Sequence, residues 1–269
     1  MADLETWIDS FRKEGYSPES AAARVCQDIV LKSIAASGFG NCITGKGGVV
    51  MRSITGSIRR ATQDLDLDFI RYSLEESSIR KFIERLNCLD GITIEIAAPI
   101  EELSQQEYRG KRVFITIQDD AGHRLKSKID LGVHKQVQID QDEFCFDVCM
   151  DDQGASLLIN SKEQIFTEKL RSLLRFGPLS TRYKDIYDLC YLAESLNMER
   201  LIICLNTYIL SDVVMKETSV DDIRHRIHLT FQNRMFRMRL DQAVNANWLS
   251  IDPSDACRRI ESFLKGIHL

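Results

Sequence analysis

Residues 42–69 read CITGKGGVVMRSITGSIRRATQDLDLDF, and this stretch decides the fold. A short apolar run, Cys42 to Thr44, meets Gly45-Lys46-Gly47-Gly48, and a helix-like segment, VVMRSI, follows and stops near Gly56-Ser57. Strand, glycine turn and helix therefore come in that order. In DLDLDFI, Asp64, Asp66 and Asp68 alternate with Leu65, Leu67 and Phe69, a period of two that suits a half-buried strand and not a helix. All three carboxylates then share one face.

Upstream, ESAAARVCQDIVLKSIAA (19–36) places Ala22, Val25, Cys26, Ile29, Val30 and Ile34 at helical spacing behind Ser17-Pro18-Glu19, which starts an amphipathic helix. Downstream, Ile79, Phe82, Ile83 and Leu86 mark another helix, and ITIEIAA from 92, RVFITIQ from 112 and RLKSKIDLGV from 124 read as strands. In the last of these Lys126, Lys128 and Asp130 share one face, and Leu125, Ile129, Leu131 and Val133 the other. After a short strand, EFCFDVC near 143, helices are predicted over 161–176, 182–195, 198–210, 218–240 and 254–266. The change of pattern near residue 160 makes this an α+β chain, with a mixed-sheet core over 1–160 and an all-helical half over 161–269.

A chain of 269 residues, 44% hydrophobic and 28% charged with 4 Pro, is too apolar and too poor in breakers to be disordered. Its hydrophobic runs fall far short of the ~18 residues that span a bilayer. The opening MADLETWIDSF carries acids where a secretory signal needs basic residues, so a soluble, cytoplasmic protein with no membrane partner is expected. The 8 cysteines are scattered and are read as reduced, mostly buried thiols. A net charge of -5 excludes a generic nucleic-acid coating protein but not a local basic groove. The acid-free run from Ile223 to Leu240, with Arg224, Arg226, Arg234, Arg237 and Arg239, is the candidate for one. There Ile227, Phe231, Met235 and Met238 recur at helical spacing and predict an apolar face, with the arginines off it.

Asp64 and Asp66 from one strand and Asp130 from another converge if the two strands are neighbours. Like charges so close raise one another's pKa and repel, so their coexistence points to divalent cations among them. Carboxylates without a His or Cys cluster suit Mg2+, an ion that keeps waters and bridges phosphates. The competing reading is an alternating strand with a solvated acidic face, and Asp68 fits it best. Gly47 and Gly48, between strand and helix, allow close backbone approach where the first helical N–H groups can hold a phosphate oxygen.

Glycine turn, helix, Asp-x-Asp strand and later strand Asp together resemble the nucleotidyltransferase (polymerase beta-like) superfamily. More narrowly, Lys46-Gly47-Gly48 and Arg60-x-Thr62-x-Asp64-Leu65-Asp66 resemble the AbiEii family of abortive-infection toxins, whose pattern is Lys-Gly-Gly, a short helix, and Arg-x-Ser-x-Asp-Leu-Asp-Phe. Val49 replaces the commoner hydroxyl residue, Thr62 stands for serine, and the Asp-Leu unit is repeated, so Phe69 falls two residues late. KIDLGV resembles the third-acid strand and supplies Asp130. SKEQIFTEKLRSLL resembles the segment whose lysine contacts the triphosphate, here Lys169. RYKDIYDL resembles an Arg-x-Arg-Asp-x-x-Asp-Leu helix, with Arg182, Asp185 and Asp188 kept and Lys184 in place of an arginine.

The resemblance implies a toxin of a toxin–antitoxin pair that uses a nucleoside triphosphate (NTP), with an antitoxin protein and tRNA as expected partners. On that reading Asp64, Asp66 and Asp130 hold metal in a two-metal site and, with Lys169 and Asp185, make the catalytic set. Lys46, Gly47, Gly48, Arg60, Thr62, Lys169 and Arg182 bind the nucleotide, and residues 161–269 complete the nucleotide and acceptor cleft. The reaction moves an NMP to an acceptor hydroxyl and releases pyrophosphate. Two alternatives stand beside it: a noncatalytic nucleotide- or partner-binding module on the same fold, and a transferase acting on a small hydroxylated compound such as an aminoglycoside.

Overall fold

The computed structural model describes residues 3–103, 110–136 and 138–268. The chain divides into two compact units, Met1–Asn160 and Ser161–Leu269. No helix among the described residues is long and apolar enough to cross a membrane.

The first unit begins with α1 (Leu4–Glu14), capped by the Asp3 side chain and closed by Gly15 at φ 106. Helix α2 (Pro18–Ala36) follows, capped by Ser17. Then come β1 (Ile43–Lys46), α3 (Gly47–Thr55), β2 (Leu65–Phe69) and α4 (Glu76–Arg85). The unit ends with β3 (Ile92–Ile96), β4 (Glu101–Leu103), β5 (Gly110–Asp119), β6 (Arg124–Val133), β7 (Asp142–Val148) and β8 (Asp151–Ile159).

These strands form one mixed sheet in the order β3-β5-β6-β2-β1-β8-β7, with β4 paired to β5. β2 lies inside it, antiparallel to β1 and parallel to β6. Leu65, Leu67 and Phe69 are at most 2% exposed, so the face opposite the aspartates is core, as the alternation predicts. Helix α1 and strands β4 and β8 were not predicted. β8 opens on two aspartates and carries Gly154 at φ 70, features that read as a turn, yet it pairs in parallel with β1.

The second unit is helical: α5 (Lys162–Phe176), α6 (Tyr183–Leu192), α7 (Met198–Leu205), α8 (Val220–Gln232), α9 (Arg234–Gln242) and α10 (Pro253–Lys265). The predicted single helix over 218–240 is two. Asn233 leaves helical geometry at ψ 120, and its side chain accepts the Phe236 N–H at 3.0 Å, which restarts the helix as α9. The restart shifts the apolar face: Ile227 and Phe231 are buried, but Met235 and Met238 are 48% and 42% exposed, and Phe236 and Leu240 take the inward positions.

The thiols are free, as expected, but only Cys26, Cys190, Cys204 and Cys257 are buried; Cys88 and Cys145 are exposed. Burial pushes the Cys26 thiol up to about 12.

Candidate active site

β2 carries the acids, and its two neighbours decide what surrounds them. In the parallel pair with β6, Asp66 stands opposite Asp130 and Asp68 opposite Gly132. In the antiparallel pair with β1, Lys46 stands opposite Asp66 and Thr44 opposite Asp68. Paired strands run about 4.8 Å apart, so Asp66 and Asp130 present carboxylates side by side on one face. Asp64 lies just ahead of β2, with its side chain 47% exposed. Asp68 lies deeper, 6% exposed.

Three of these acids each hold a side-chain cation. Asp64 pairs with Lys128 at 2.8 Å and Asp68 with Lys46 at 2.6 Å. Arg112, on β5, donates Nε–H and Nη2–H to the two oxygens of Asp130, each at 2.7 Å. This two-pronged hydrogen bond holds the Arg112 guanidinium well above its ordinary pKa. The arrangement neutralises repulsion among the carboxylates, the role a divalent ion would otherwise fill. Asp64, Asp66 and Asp130 are not drawn within 4.8 Å of one another. The described trio that is so close is Asp3, Asp119 and His123, which fastens α1 to the β5–β6 turn.

The glycine turn closes the other side. Gly47 has φ +66, and a Cβ there would run into the Asp66 carboxylate. A Cβ on Gly48 would lie 2.7 Å from Cβ of Thr62. Both glycines are therefore required by close approach, and Gly47 by backbone conformation as well. Lys46, the residue before α3, makes no side-chain cap, so the first-turn N–H groups of α3 keep their capacity for an oxyanion. Thr62 is itself braced: Gln27 donates to its carbonyl at 3.0 Å. Arg60 is buried at 4% exposure.

In the second unit, Lys169 is 6% exposed, and its Nζ lies 2.6 Å from Asp185 and 2.8 Å from Asp188. Arg182 donates Nε–H to Asp185 at 2.7 Å, and Trp248 donates Nε1–H to Asp188 at 2.9 Å. The resemblance-derived residues of this unit thus form one charged network, with Lys169 neutralised from two sides.

Over residues 29–252 the chain matches the family described as nucleotidyl transferase AbiEii toxin, type IV toxin–antitoxin system. The chain belongs to this family. It is a nucleotidyltransferase of the α+β class. No curated protein matches it. A solved H. pylori structure assigned as a nucleotidyltransferase is 14% identical over 92% of this chain and 93% of that one, with a TM-score of 0.46.

In this AbiEii chain, sequence reasoning missed Arg112, Trp248 and the ion pairs of Lys46 and Lys128. Arg112 could have been found: it falls on the same alternation as Asp130 once β5 and β6 are registered as a hairpin. Trp248 has no such signal, because its partner Asp188 is distant in sequence. The other cations of the 169–184 run are also engaged. Arg171 pairs with Asp212, and Arg175 lies 5.7 Å from the Phe176 ring centroid. In the arginine-rich run Arg224 donates to the Leu264 carbonyl at 2.9 Å and Arg237 to the Ser254 hydroxyl at 2.7 Å, while Arg234, Arg237 and Arg239 stay exposed.

Proposed function

We propose that the chain moves an NMP from an NTP to the 3′ hydroxyl of tRNA, with Mg2+ held by Asp66, Asp130 and Asp64. The observation that carries this reading is the register of Asp66 with Asp130 beside the Gly47–Gly48 turn. The donor set fits the ion: all-oxygen carboxylates on or beside adjacent strands, of which Asp64 and Asp130 can exchange a side-chain cation for a metal. When bound, Mg2+ neutralises charge on the transferring phosphate and lowers the pKa of the attacking hydroxyl.

The chain's own residues do the rest. The Gly47–Gly48 backbone and the first turn of α3 orient phosphate oxygens, and Thr62 keeps the turn seated. Lys46 and Lys128, released from Asp68 and Asp64, supply positive charge to the triphosphate. Asp130 completes the metal site or accepts the proton of the acceptor hydroxyl. Lys169, Asp185 and Arg182 enter as the nucleotide-contacting network, on the strength of the family pattern. An antitoxin partner follows from the type IV toxin–antitoxin family.

The test is incubation of the purified chain with each labelled NTP, Mg2+ and total RNA. Label on the 3′ ends of tRNA is the expected result. Label on protein or on nothing removes the tRNA acceptor, and nucleotide binding without pyrophosphate release removes catalysis.

A further inference from the structure

Both oxygens of Asp130 are taken by one side chain of the next strand. Arg112 stands directly opposite Asp130 in the β5–β6 pair, and its Nε–H and Nη2–H each reach an Asp130 oxygen at 2.7 Å. The Asp130 side chain is 9% exposed and that of Arg112 28%. Water screens such a pair poorly, and a planar guanidinium matched to a carboxylate on both prongs is a strong form of the contact. A divalent ion on the same carboxylate meets the guanidinium charge at close range, where like charges repel. The two cations therefore compete for Asp130.

Strand register gives Arg112 a second carboxylate. In the antiparallel pair of β4 with β5, Glu101 stands directly opposite Arg112, on the edge of β5 away from Asp130. Directly opposed residues carry their Cβ atoms about 4.5–5.5 Å apart on one face. Glu101, Arg112 and Asp130 thus form a row across three strands, with the arginine in the middle. Glu101 is exposed, and its charge, like that of Asp64, already bears on the Arg112 guanidinium. A long side chain rooted between two acids can pass its guanidinium from one to the other by rotamer changes alone, with the sheet left as it is. Lys128, which holds Asp64 at 2.8 Å, has Phe114 and not an acid opposite it on β5.

We infer, on the proposed role of Asp130 as a metal ligand, that Arg112 is a positioning residue with two seats, Asp130 and Glu101, and that its move to Glu101 opens Asp130 to a divalent cation. The test is calorimetric titration of the full chain with Mn2+, an oxygen-seeking stand-in for Mg2+, at fixed ionic strength. Arg112→Lys keeps the charge but loses the fork, and should bind Mn2+ about threefold more tightly than the native chain; Arg112→Gln should bind it about tenfold more tightly. Glu101→Gln removes the second seat and should weaken Mn2+ binding about threefold, but leave it unchanged when combined with Arg112→Gln. Equal affinity in the native chain and both Arg112 variants overturns the two seats. A gain in Arg112→Gln with none in Arg112→Lys does so too, because it marks charge alone and not the fork. So does a Glu101→Gln that binds Mn2+ like the native chain, or an effect of Glu101→Gln that persists once Arg112 is gone. Glu101→Gln alters only an exposed position, so that arm decides the matter even if Arg112→Gln does not fold. Failure of every chain to take up Mn2+ removes the metal site and the two seats together, an outcome distinct from uptake that ignores Arg112.

Discussion

At the scale of single residues, the aspartates differ by what each one touches. Asp66 sits between Asp130 and the Gly47 turn, whereas Asp68 is pressed against Gly132 and bound to Lys46. Asp66→Asn is therefore expected to lower kcat by at least about 100-fold with the fold intact, measured by pyrophosphate release and circular dichroism. Retained activity would move the metal site elsewhere on β2. Gly47→Ala should be worse on both counts. It forces alanine to φ +66 and drives a methyl group into the Asp66 carboxylate. The expected cost is about 1–2 kcal/mol of stability, read by urea unfolding, together with loss of transfer. The period of two along 64–69 made these acids legible from sequence, because it fixes their common face whatever the partner strand. Which cation each acid holds was not legible, since Lys46, Lys128 and Arg112 reach them only through strand register.

At the scale of elements, the break at Asn233 separates two readings of the arginine-rich run. A continuous helix would bury Met238, but the restart buries Phe236. Met238→Lys should therefore change stability by less than about 0.5 kcal/mol, while Phe236→Ala should cost roughly 3–5 kcal/mol in denaturant unfolding. The reverse order would restore the single helix. Helix α1 is held by Asp119, which accepts the Leu4 N–H at 3.1 Å and pairs with His123 at 2.8 Å. The Asp119 hydrogen bond raises the His123 pKa and outweighs the opposing effect of burial. Burial raises the Asp119 pKa, but hydrogen bonds from His123 and Leu4 outweigh it and bring the carboxyl below its usual value. The His123 contribution is complete below its unfolded pKa of about 6.5 and is lost as pH rises through the higher folded value. The Asp119 contribution is present above about 3.9 and is lost as pH falls through the lowered folded value. Melting temperature should accordingly drop between pH 6 and 8 in the native chain more than in His123→Asn; parallel curves would refute the tie. Sequence periodicity found α2, α5, α6 and α10 because each repeats an apolar stripe. It failed at β8, where Gly154 and the paired aspartates mimic a loop, and at Asn233, where one cap resets the register.

At the scale of the whole molecule, the chain carries a net charge of -5, and Arg224 is spent on the Leu264 carbonyl while Arg234, Arg237 and Arg239 stay exposed. Nonspecific RNA affinity is expected at the weak end, about 10⁻⁴ M at physiological salt, and filter binding across a salt series would expose a stronger electrostatic footprint if one exists. The split between sheet and helices was visible in the sequence because the hydrophobic period changes near residue 160, and the family was visible because its motifs are short and local. The order of strands was not, since β1 and β8 meet across more than a hundred residues. That ordering also governs when the enzyme can exist. Asp66 gains its neighbour only when residue 130 has been synthesised, and β1 gains its parallel partner only with residues 158 and 159. A growing polypeptide still on the ribosome therefore cannot complete this sheet until its eighth strand has been made, and the helices that carry Lys169 and Asp185 come later still.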